Sequence, residues 1–115
     1  ITREGDVRGS LPFLPPEQVT NSRGVDHRAD IFSVGATLYT LLTGAYVYNL
    51  DPSKKDPLLT IVEDPVVPIE QRNVPLPPAL RTIVNRAISK QASDRYQTAE
   101  EMRTALQQFL ATERR

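Results

Sequence analysis

The chain has 115 residues, the size of one domain, and its 14 Lys and Arg balance 14 Asp and Glu to a formal net charge of zero. That balance does not fit a dedicated nucleic-acid binder, which shows a basic excess on one face. There is no cysteine, so a disulfide scaffold, a thiolate zinc site and a Cys nucleophile are excluded, and no stretch approaches the ~20 apolar residues that span a bilayer.

The ten prolines are uneven, with three from Pro12 to Pro16 and seven from Pro52 to Pro78. An interior proline costs a helix ~3 kcal/mol, so the proline-free windows predict the long helices. The chain begins at Ile1 and its only methionine is Met102, which points to a piece of a longer protein.

In chain order, Gly9-Ser10-Leu-Pro-Phe13-Leu-Pro15-Pro16-Glu17 reads as a glycine turn and an extended stretch. A short helix follows, opened by Pro15-Pro16 with Glu17 in its first turn. From Asp26, a plausible N-cap, a helix is predicted through Leu42, with Thr43-Gly44 as its stop. Ile31 to Leu42 carries no charge. Ile31, Val34, Leu38, Leu41 and Leu42 share one face, and Phe32, Ala36 and Tyr39 lie on other sides. A helix apolar around most of its circumference belongs in the centre of a fold. The segment Asp51 to Pro78 is loop-rich, with a short helix expected over Asp56 to Glu63 that Asp64-Pro65 ends. Leu80, Ile83, Val84, Ala87 and Ile88 predict a helix over Ala79 to Ser89. Thr98 and Glu101 are spaced as a capping box opening a last helix, whose stripe is Met102, Ala105, Leu106, Phe109 and Leu110. Strand signal is weak, with only Val66-Val67 to consider.

Four short patterns follow one another: Gly9-Ser10 to Pro15-Pro16-Glu17, Asp30-Ile-Phe-Ser-Val-Gly35, Leu41-Leu42-Thr43-Gly44, and Asp94-Arg95-Tyr96. In that order and spacing the set resembles the C-terminal lobe of bacterial-type (Hanks-type) serine/threonine protein kinases, from roughly Thr2 to Leu110. The resemblance implies a mainly α fold, the helical subdomain of that lobe, an incomplete kinase-like fold. Residues 1–115 would then be the C-terminal part of a kinase domain. Residues 1–20 would be the end of the activation segment with the substrate-docking loop, and 21–115 the helical subdomain.

The roles implied by the resemblance are these. Gly9, Ser10, Leu11, Pro12 and Phe13 would dock the peptide beside its phosphorylated Ser or Thr. Ser10 replaces the family's Thr and keeps the hydroxyl that bonds catalytic-loop residues; Phe13 replaces a frequent Tyr. Pro15, Pro16 and Glu17 would stand at the Ala-Pro-Glu motif that closes the activation segment, with Pro for Ala. Asp30 would brace the catalytic loop, Gly35 would let another backbone approach, and Arg95 would pair with Glu17. Thr2 would be a phosphorylation site if it is more than an ordinary loop residue. Relatives commonly have a Pro-Pro-Phe-like turn after Thr-Gly, where this chain has Ala45-Tyr-Val-Tyr48. His27-Arg28-Ala29-Asp30 is not the catalytic His-Arg-Asp, since it carries an extra Ala and follows Glu17.

Phosphoryl transfer needs a Gly-rich phosphate loop, a strand Lys, a catalytic Asp, an Asn and the Asp of Asp-Phe-Gly. This sequence contains none of them, so no catalytic, cofactor-binding or metal-binding residue is assigned. ATP and Mg2+ are implied for the longer parent only, and the chain alone is expected to be inactive. The expected partners are a Ser/Thr protein substrate and the remainder of the kinase domain, with no nucleic acid. The expected location is cytoplasmic, with any membrane anchor of the parent outside this chain. The alternatives are a pseudokinase or scaffold lobe used for protein binding, or an independent helical interaction module. A fragment with so apolar a central helix is expected to be poorly soluble or molten when isolated.

Overall fold

The computed structural model describes residues 11–20 and 22–113. Among them every regular element is helical: α1 (Pro16–Thr20), α2 (Arg28–Thr43), α3 (Pro57–Glu63), α4 (Pro78–Ala87) and α5 (Ala99–Glu113). Short 3-10 turns lie at Leu11–Phe13, Ser22–Gly24, Ile69–Arg72 and Ala92–Asp94. Val66-Val67 forms no strand; the Val67 N–H makes one bond to the Val47 carbonyl, at 2.8 Å.

The helix ends follow local chemistry. The Asp26 carboxylate accepts the Arg28 N–H at 2.9 Å, although the capping position itself falls one residue later, at His27. Gly44 closes α2 in the left-handed region, φ 76°, with its N–H on the Thr40 carbonyl. Asp56 caps α3 through the Leu58 N–H, and Asp64, held extended before Pro65, ends it. At α5 the Thr98 hydroxyl accepts the Glu101 N–H at 3.0 Å. The Glu101 carboxylate reaches back to the Gln97 N–H at 2.6 Å, one residue beyond the usual box partner.

Packing decides which side of α2 faces inward, a choice that the sequence left open. Its core face is Phe32, Ala36 and Tyr39, all fully buried, with Val47, Tyr48, Ile61, Ile69, Val84 and Ile88 around them. Ile31 turns instead to a second cluster with Ile83, Ala87, Tyr96 and Met102. On the remaining side Leu38 and Leu42 pack partly buried against the main core, whereas Val34 is 55% exposed and Leu41 78% exposed. Spacing alone could not separate the two, because both sides of this helix are apolar. The stripe of α5 is likewise thinner than expected, with Met102 buried and Leu110 exposed.

Helices α2 and α4 each feed both clusters, so their crossing is the spine of the fold. Gly35 makes the approach possible. A Cβ on Gly35 would lie 2.6 Å from Ala87 Cβ and 3.0 Å from Ile88 Cγ2, closer than carbon atoms pack. Gly35→Ala should therefore destabilise the folded domain by ~1–3 kcal/mol through overpacking, despite the better helix propensity of Ala. Val34→Ala next to it, on the exposed side, should change stability by no more than about 0.5 kcal/mol. The two urea midpoints check this.

Candidate substrate-docking segment and its anchor

Residues 11–17 cross the surface of α2 and are held at two points. The Ser33 hydroxyl, in the middle of α2, donates to the Phe13 carbonyl at 2.8 Å. Leu11 and Phe13 pack partly buried against the main core. Pro12, Pro15 and Pro16 are buried. Proline has no N–H, so burying three of them leaves no backbone donor to satisfy.

The second point is ionic. Arg95 is completely buried, and each of its five guanidinium N–H groups has a partner. Nη1 and Nη2 form a fork on Glu17, at 2.6 Å to Oε2 and 2.8 Å to Oε1. Nη1 also donates to the Arg28 carbonyl at 3.0 Å, Nη2 to the Lys90 carbonyl at 3.1 Å, and Nε to the Ser89 carbonyl at 2.8 Å. The flat cation lies 5.0 Å from the centre of the Phe32 ring. Fork geometry and full donor satisfaction are what let a buried charge offset its desolvation. Glu17 differs in keeping 23% exposure along a groove of about 560 Å³ that Thr20, Glu63 and Lys90 also line. Burial pushes the Glu17 carboxyl up; hydrogen bonds and charge from Arg95 outweigh it, so the group titrates below its ordinary value.

Other assigned residues sit apart. Asp30 is exposed in the first turn of α2, beside a shallow cavity of about 310 Å³ shared with Val34, Met102 and Leu106. Gly35 lies at the helix crossing. Gly9, Ser10 and Thr2 fall outside the described residues. His27 donates from Nε2 to the Gln97 carbonyl at 2.5 Å, a structural tie.

Sequence reading missed several anchors. Gln97 gathers Arg28 on its side-chain oxygen and reaches the carbonyls of Ala92, Ser93 and Arg95 through its amide nitrogen. Arg72 donates to the Tyr39 hydroxyl at 2.8 Å, Asn49 at 2.9 Å and the Tyr46 carbonyl at 2.6 Å. Neither residue belongs to a spaced pattern, so nothing in the sequence marked them. Among the described residues, no group of three or more Asp, Glu or His is placed to hold a metal ion, and no helix is long and apolar enough to cross a membrane.

No protein-family model matches the chain. It is 34% identical over 108 residues to the serine/threonine-protein kinase pkn3 of Myxococcus xanthus, covering 93% of this chain and 20% of that protein. To the serine/threonine-protein kinase PksC of Streptomyces coelicolor it is 39% identical over 99 residues, covering 86% and 17%. To the serine/threonine-protein kinase PknB of Mycolicibacterium smegmatis it is 37% identical over 106 residues, covering 92% and 17%. The chain thus spans about a fifth of the length of the curated relatives it matches.

Because the Glu17 carboxyl lies below the ordinary carboxylate range near ~4.3, the pair's stabilisation is complete above that pH. It is lost as pH falls through the folded-state value. Arg95→Met should cost ~3 kcal/mol, the lower end for a broken buried pair, since Glu17 keeps an edge to water. Thermal midpoints measured from neutral to acid pH should fall less steeply in this variant than in the unaltered protein.

Proposed function

The chain belongs to the bacterial serine/threonine protein kinases, as a stretch of their helical C-terminal lobe, and we propose that it is the substrate-docking and scaffolding part of such an enzyme. The parent would transfer the γ-phosphate of ATP to a Ser or Thr hydroxyl of a protein. This stretch would hold the peptide and organise the lobe, leaving the chemistry to the rest of the domain. The observation that carries the reading is the double fixation of residues 11–17, by Ser33 at Phe13 and by Arg95 at Glu17. A segment that only linked two helices would not need a buried, fully satisfied guanidinium to hold it.

In this reading residues 1–20 are the end of the activation segment and residues 21–115 the helical subdomain. Leu11, Pro12 and Phe13, with Gly9 and Ser10 before them, form the docking loop. Thr2 would accept regulatory phosphate, which orders a loop when it finds an Arg partner. ATP and Mg2+ would be held by other parts of the parent. The remainder of the kinase domain would cover the outer side of α2, where Val34, Leu38, Leu41 and Leu106 line an apolar cavity of about 450 Å³. A cytoplasmic location goes with protein phosphorylation at the expense of ATP.

The test uses the longer kinase that contains this chain. Phe13→Ala should raise the KM for a peptide substrate ~10-fold with a smaller effect on kcat, the pattern of lost ground-state binding. An unchanged peptide KM would sink the docking role. In calorimetry the chain alone should show no micromolar affinity for ATP.

A further inference from the structure

The strip Tyr46-Val47-Tyr48 alternates. Val47 and Tyr48 are buried in the core, whereas Tyr46 is 45% exposed. An exposed aromatic is ordinary, but this one is held. Its carbonyl accepts the Arg72 Nη2 proton at 2.6 Å. Arg72 is itself fixed by Tyr39 and Asn49. The Tyr46 ring meets Phe13 edge to face, with centroids 6.0 Å apart and planes at 88°. Phe13 in turn is held through Ser33. Two rings from distant parts of the chain therefore stand as perpendicular walls, each tied to the core by its own backbone.

The geometry points to Tyr46 as a specificity-determining residue. With Phe13 it forms an apolar corner that receives one aliphatic or aromatic side chain of the peptide, flanking the phosphorylated Ser or Thr. This assignment rests on the docking role of residues 11–13 and adds to it the chemistry of the side chain received. Rings already ordered by other contacts lose little freedom on binding, and fixed aromatic anchors carry a large share of interface energy. Aromatic faces also attract cations. Here the Arg72 guanidinium sits against the Tyr46 backbone and opposes a second positive charge, so the corner favours an uncharged apolar side chain over Lys or Arg. Arg72 is a positioning residue in this arrangement, since it reaches the corner only through Tyr46.

The experiment takes the longer kinase containing this chain and peptides with a single acceptor. Each flanking position is varied in turn among Leu, Phe, Gly and Lys. The quantity read is the ratio of kcat/KM for Leu or Phe over Gly and Lys, which is internal to each variant and independent of how much active enzyme it yields. The unaltered enzyme should show a ratio of ~10 at one flanking position, equivalent to ~1.4 kcal/mol. Tyr46→Ala should bring it close to one, Tyr46→Phe should preserve it, and Arg72→Met should lower it part of the way. A ratio that Tyr46→Ala leaves intact overturns the assignment, as does an unaltered enzyme with no apolar preference at any flanking position. If Phe13→Ala leaves the peptide KM unmoved, the docking role itself falls. If that KM responds while the ratio ignores Tyr46→Ala, the corner alone falls.

Discussion

Everything in this fold converges on the Arg95 guanidinium. It is shut off from solvent, so each donor must find an oxygen inside the protein. The oxygens come from the first residue of α2 (Arg28), from the second and third residues past the end of α4 (Ser89 and Lys90), and from α1 (Glu17). One planar cation thereby registers three helices against one another. Hydrophobic contacts, being non-directional, would allow these ends to slide; a fork with five fixed directions does not.

That dependence explains the division of labour between the two cores. The crossing of α2 and α4 at Gly35 brings the backbones close and contributes buried residues to both cores. Arg95 then ties the short α1 and the loop before α5 to this pair. Gln97, two residues on, repeats the device on a smaller scale by bridging Arg28 to the turn at Ala92 and Ser93. Polar side chains here are thus structural at the seams between helices, where backbone carbonyls would otherwise lack partners.

Helix existence was legible because proline placement and capping residues are local signals. Asp56, Thr98 and Gly44 each act where their type and neighbours imply. The direction in which α2 faces was not legible, since Phe32, Ala36 and Tyr39 compete with Val34, Leu38 and Leu41 for the same inside. Only the position of α4, set by the fit of Ala87 against Gly35, decides between them. The Glu17–Arg95 contact was suggested by family resemblance alone; a separation of 78 residues leaves no trace in periodicity. Arg72, Gln97 and the Phe13–Tyr46 corner lay beyond reach because each is made by the meeting of distant loops. The 3-10 turns escaped for the opposite reason, being too short to show a period.

Helix α1 has only five residues, too few to hold its own hydrogen bonds in water. Its order is borrowed from tertiary contacts, the ion pair together with buried Pro16 and the packing of Val19 on the main core. Amide protons of residues 17–20 should then exchange with solvent through brief local openings of these contacts, with protection well below that of Phe32 or Val84 amides, which need the whole core to come apart. A helix this short keeps its place through what it touches, the ion pair foremost, and not through its own turns.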